Sequence, residues 1–136
     1  MKYQLFIRAQ TFAIAALAFG AFANIAIAET FDPNVAITKP AKALKFDNIT
    51  PSLQFSDASG DRANTAHGRF AVISGNWDTS SHIHSAANHG VVVRGVVTNG
   101  FDGDKNPPRL GPGSYWYVSA NAVHTTACLS KEPCLT

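Results

Sequence analysis

Past its first thirty residues the chain alternates short apolar stretches with turn-forming residues at close intervals, and it carries almost no helical periodicity. His67–Ser74 (HGRFAVIS) alternates loosely and predicts a strand, followed by a turn at Gly75-Asn76. Gly90–Thr98 is a valine-rich strand interrupted by Gly95, where a bulge or a close backbone approach would call for glycine. Asn99-Gly100 is a hairpin signal. Residues 101–113 hold three glycines and three prolines and predict a long loop. Ser114–Val118 and Ala122–Cys128 predict two further strands, joined by a turn at Ser119–Asn121. Short strands with frequent turns predict an all-β sandwich or barrel.

The segment before these strands is less regular. Residues 29–43, with Pro33 and Pro40, are expected to form an extended N-terminal arm with at most one edge strand, and a short helix could begin at Lys42. Phe46, Leu53 and Phe55 punctuate a stretch broken by Pro51 and by the turn cluster Asp57-Ala-Ser-Gly-Asp61. Alternation sends Trp116 to the face opposite Tyr115 and Tyr117, so the three cannot line one pocket together. Arg94, amid valines, is expected to face outward. Asp102, Asp104, Lys105 and Arg109 are expected to form a solvated face of the long loop.

Residues 1–28 carry Lys2 and Arg8, then an apolar run from Thr11 to Ala23 and a small-x-small site at Ala26–Ala28. This is the pattern of a signal peptide cut before Glu29, which leaves a periplasmic or secreted protein with no membrane segment. The whole chain has eleven Lys and Arg against nine Asp and Glu. Loss of Lys2 and Arg8 brings the basic residues to nine, equal to the acids. The basic balance is therefore an export signal, and no cluster remains to track nucleic acid. The two cysteines, Cys128 and Cys134, form an even pair in an exported chain, and a disulfide is expected. Closing so short a loop would stabilise the fold by about 2–2.5 kcal/mol. A free Cys128, four residues from His124 on one strand face, would instead offer a thiolate ligand or nucleophile.

His82 and His84 head the valine-rich region and share a face if the backbone there is extended. Neutral imidazoles so placed are metal ligands, and His124 arrives later in a segment able to lie beside them. His67 is expected to be a hydrogen-bonded structural histidine.

These residues resemble the two motifs of the cupin superfamily. His82-Ile-His84, three residues, Asn88, six residues and Gly95 reproduce the spacing of the first, with Asn88 where the family has glutamate and Gly75 one place early as the leading glycine. Gly113, five residues, Ser119–Asn121, two residues, His124, three residues and Cys128 reproduce the second. The resemblance runs from about Leu44 to Cys128. It is to RmlC-like cupins, small exported single-domain cupin-like proteins of unknown function, and the cupin-like part of ChrR-type anti-sigma factors. It implies one cupin domain over 44–136, a double-stranded β-helix or jelly-roll barrel. It also implies a divalent metal (Fe, Mn, Ni or Zn) on His82, His84 and His124, with Asn88, or His89 if turned inward, as a fourth ligand.

Replacing the family's glutamate by Asn88 leaves the site more positive by one charge, which favours bound hydroxide or an anionic substrate. The functions expected are a metal-dependent enzyme with dioxygenase-like or other small-molecule chemistry, or a non-enzymatic module that binds or senses a metal or small ligand. A relic that binds no metal and serves as an interaction domain is a third. No catalytic residue beyond the ligands stands out, and a homodimer is implied by resemblance only.

Overall fold

The computed structural model describes Asp32 and residues 34–136; the expected signal segment lies outside the described residues. The arm from Asn34 to Ala43 is exposed throughout, and its one regular feature is a 3-10 turn at Ala41–Ala43. Nine strands follow: β1 (Asp47–Thr50), β2 (Leu53–Ser59), β3 (Gly68–Ile73), β4 (Trp77–Asp78), β5 (Asn88–Val91), β6 (Val97–Phe101), β7 (Tyr115–Val118), β8 (His124–Cys128) and β9 (Cys134–Leu135). All pair antiparallel, in the orders β1-β2-β3-β9, β4-β8-β6 and β5-β7. The expected all-β barrel is the fold observed.

Where the sequence expectations fail, tertiary contacts override local turn chemistry. Pro51 does break its segment as expected: Pro51-Ser52 is the turn between β1 and β2, and the Ser52 N–H is held by the Thr50 hydroxyl at 3.2 Å. The cluster expected to turn at Asp57 instead continues β2 to Ser59. The chain turns after Gly60 (φ +67°), where the Asp61 carboxylate accepts from the Ala63 N–H and the Asn64 amide. Gly90–Thr98 is two strands and not one, because Gly95 sits at φ +87°, a left-handed conformation that ends the extended run.

The hairpin expected at Asn99-Gly100 is absent, since both residues lie inside β6 opposite Thr126 and Thr125. Asn99 spends its side chain on the cross-strand Thr126 hydroxyl at 3.1 Å, and Pro107 packs on Gly100 where a side chain would stand. Residues 102–113 are irregular, as expected, with Asp102, Asp104, Lys105 and Arg109 exposed. They nevertheless cover the free edge of β6: Val97 and Leu110 exchange both backbone hydrogen bonds, at 2.9 and 2.8 Å.

Strand β9, which the sequence did not announce, joins the sheets. It pairs with β3 on one side, while Leu135 exchanges backbone hydrogen bonds with Arg94 at 3.0 Å on the other. The Cys128–Cys134 disulfide ties β9 to β8. Both sulfurs are buried with Ile73, Val92 and Val97 in the core, and Leu53, Trp77, Leu110 and Trp116 pack around that cluster. Pinning the C-terminal segment is thus the same act as filling the core.

The close-approach reading of Gly95 holds: a Cβ there would stand 2.6 Å from the Cys134 sulfur. Gly95→Ala therefore meets both positive-φ strain and a core clash, and is expected to cost about 2 kcal/mol or more of unfolding free energy. Gly111→Ala meets no atom within 4 Å, and should stay within about 0.5 kcal/mol of the parent. Urea denaturation of the two oxidised variants checks the contrast.

Candidate metal centre

After β4 the chain keeps company with β8. Asp78 opposes Ala127, Thr79 donates its N–H to the Thr126 carbonyl, and His82 then exchanges both backbone hydrogen bonds with His124 at 3.0 Å. From Asp78 to His82 is four steps, but from Ala127 to His124 only three, so the histidine side carries one extra residue. That slip resets the alternation and aims His82 at the same face as His124. The pair of histidines is therefore not on a regular strand, as its spacing suggests, but on an irregular segment held by a two-bond bridge. His84 follows two residues on, anchored by its carbonyl, which accepts from the Asn121 N–H at 2.8 Å where that residue takes a left-handed turn (φ +61°).

The three rings converge. Ring centroids are 4.3 Å apart for His82 and His124, and 5.0 Å from each of these to His84. One nitrogen from each lies within 4.8 Å of the others. Two rings are fixed by the same local device: His82 Nδ1 lies 2.8 Å from the Ser80 carbonyl and His124 Nδ1 lies 3.1 Å from the Ala122 carbonyl, each two residues back. A carbonyl only accepts, so each Nδ1 carries the proton and each Nε2 keeps its lone pair.

Electrostatics favours neutral rings. His84 is pushed down to about 4, first by burial and then by the nearby His124, His82, Arg69 and His67. His124, only 1% exposed, is also held below the usual imidazole value by burial, with His82 adding to the effect and the Ala122 carbonyl opposing it. Neutral imidazoles with oriented lone pairs are the donor set that zinc, iron, nickel and manganese sites use. His82, His84 and His124 could hold a metal ion.

Asn88 and His89 part company, as neighbours on a strand must. Asn88 faces the cluster, its amide nitrogen 3.4 Å from His84 Nε2. His89 faces the other way, hydrogen-bonded to the Tyr115 hydroxyl and packed at 4.9 Å on the Tyr117 ring. His89 is therefore not turned toward the three histidines, the orientation that would let it stand in for Asn88. Cys128 is in the disulfide, so no thiolate joins the site. Trp116 packs on the core while Tyr115 and Tyr117 are exposed, and Arg94 is exposed, both as expected. His67 does bond locally, to the Thr65 carbonyl at 3.0 Å, yet it also borders the cavity described next.

The cluster opens on a cavity of about 870 Å³. Phe55, Phe70, Trp77 and Trp116 contribute aromatic walls, and Arg62 and Arg69 contribute cations; no Asp or Glu is among its lining residues. The sequence reading passed over Arg62 and Arg69. For Arg69 a signal existed: in β3 it alternates in phase with Ala71 and the buried Ile73, so an inward strand face was predictable.

An all-β barrel with three histidines at one mouth is the arrangement of a cupin, and solved cupins share the fold. An RmlC-like cupin from Shewanella frigidimarina matches with a TM-score of 0.61 at 14% identity, covering 74% of this chain and 86% of its own. The polyketide cyclase RemF from Streptomyces resistomycificus matches with a TM-score of 0.62 at 14% identity, covering 74% and 75%. A chain of the complex between Rhodobacter sphaeroides SigE and the anti-sigma ChrR matches with a TM-score of 0.56 at 14% identity, covering 71% and 48%. No curated protein sequence matches. The chain belongs to the family described as domain of unknown function DUF4437, a cupin-like family that matches residues 51–133.

The depressed His84 pKa gives the metal-free protein a defined acid response. Above about 6.5 the ring is neutral both folded and unfolded, and its full contribution to stability is present. As pH falls from there towards 4, the unfolded chain takes up the proton first and stability is lost. Urea midpoints measured in chelator are expected to fall across that window, and to fall less steeply in His84→Gln.

Proposed function

We propose that this protein is an exported metal-binding cupin whose His82, His84 and His124 hold one divalent ion, with a small organic molecule reaching it through the adjoining cavity. The observation that carries this reading is the convergence of three imidazole nitrogens within 4.8 Å, two of them with Nδ1 tied back to main-chain carbonyls. Asn88 is a neutral amide at the edge of the set and would serve as a weak fourth ligand. The signal-like N-terminus and the Cys128–Cys134 disulfide support a periplasmic or secreted address.

Held there, iron, manganese, nickel or zinc would supply Lewis acidity at coordination positions left open by the protein. The residues of this chain have the complementary tasks. Ser80 and Ala122 carbonyls orient two rings, burial keeps His84 and His124 unprotonated, and the aromatic walls exclude water from one side of the cavity. Neither Cys128 nor His89 is placed to close the coordination shell, which leaves room for an exogenous ligand. Dioxygenase-like or other small-molecule chemistry is consistent with that opening, and the fold is shared by a polyketide cyclase.

A second reading, a binding or sensing module without turnover, is favoured by one observation. Among the lining residues there is no Asp or Glu to act as general acid or base beside the imidazoles.

Elemental analysis of the purified mature protein tests the metal reading. The parent should carry close to one divalent ion per chain, and a His82→Ala, His84→Ala double variant should carry almost none. Equal content in the two would contradict the assignment.

A further inference from the structure

We propose that the cavity takes a small organic carboxylate and that the Arg69 guanidinium is its anchor; this rests on the cavity being the ligand site proposed above and names the class of ligand. The charges on its walls are one-sided. Five histidines (His67, His82, His84, His89 and His124) and two arginines border the space, and no Asp or Glu side chain is among its lining residues.

The two arginines are not equivalent. Arg62 is already spent on acids, with Nη1 at 3.1 Å from Asp57 and Nη2 at 3.3 Å from Asp47. Both ion pairs among the described residues belong to it. Arg69 sits directly across the β2–β3 ladder from Asp57, but that carboxylate is the one Arg62 holds. The hydrogen bond that Arg69 makes among the described residues is a long one, 3.4 Å from Nη1 to His67 Nε2.

Its orientation is nonetheless set. The guanidinium carbon lies 4.1 Å from the centroid of the Phe55 ring, so one face of the plane is covered and its edge is left to the cavity. A planar fork with free N–H groups, supported on an aromatic face, matches the two oxygens of a carboxylate. A phosphate is the poorer fit, because it would call for a second uncommitted cation or a row of main-chain N–H groups, and Arg62 is engaged. The aromatic and aliphatic walls, Phe55, Phe70, Leu53 and Trp77, suit an apolar body on the same molecule. Asn88 in place of an acidic ligand removes the one anion that would compete with it near the histidines.

Calorimetric titration of the full mature protein with benzoate, succinate, benzamide and inorganic phosphate tests this, run on zinc-loaded and on chelator-treated samples. Saturable binding of a carboxylate is expected, with benzamide weaker than benzoate by about tenfold or more. Arg69→Met should lose a similar factor while keeping its zinc content, and Arg69→Lys, which retains charge without the fork, should fall between them. Benzamide binding as well as benzoate overturns the proposal, and this comparison needs no variant to fold. So does a carboxylate affinity within about twofold of the parent in Arg69→Met, phosphate binding tighter than any carboxylate, or no saturable carboxylate binding at all. Arg69-dependent carboxylate binding in protein that takes up no zinc would support the anchor while removing the metal assignment, so the two fail separately.

Discussion

Two reciprocal backbone hydrogen bonds between His82 and His124 are the constraint on which the site depends. They join segments from distant parts of the chain, and they do so after a one-residue slip that turns His82 to the face His124 already occupies. Remove the slip and the two rings would lie on opposite sides of the ladder, because side chains alternate with every residue. His84 then needs only the two-residue step along an extended backbone to arrive beside them. The ring positions are thus a consequence of main-chain pairing, and ring tautomers a consequence of carbonyls two residues upstream.

That pairing survives because the rest of the barrel holds β8 still. β8 is flanked by β4 and β6, and its last residue is cross-linked to the strand that closes the four-stranded sheet. The disulfide, Val97 and Val92 occupy the same buried cluster, so the element that ends the chain also fixes the strand that carries His124. Gly95 is part of this arrangement: its missing side chain is the space the Cys134 sulfur fills. Core packing and site geometry are coupled through one short stretch of backbone.

Much of this was legible in the sequence, for identifiable reasons. The two histidine motifs with Gly95 and Gly113 at family spacing resolve the barrel and its three-imidazole cluster, because the spacing reflects strand and turn lengths that the fold repeats. The alternation in SYWYV resolves Trp116 from its tyrosine neighbours. Other features were hidden because their causes are non-local. Asn99-Gly100 carries strong turn chemistry, but partners on both sides of β6 hold it extended. Strand β9 is two residues long and shows no pattern of its own. Arg69 was overlooked although its phase with Ile73 was readable, since a lone arginine on a strand is usually a solvated edge charge. The cavity it borders is assembled from β2, β3 and the histidine segment, and no single stretch of chain reveals it.

X-ray absorption at the metal K-edge of the loaded protein measures the central claim most directly. A shell of three imidazole nitrogens at about 2.1 Å, completed by oxygen donors and without sulfur, is the expected spectrum. The His82→Ala, His84→Ala variant, which should carry almost no metal, should give no such shell. A first shell containing sulfur, or one made only of solvent oxygen, would contradict the account.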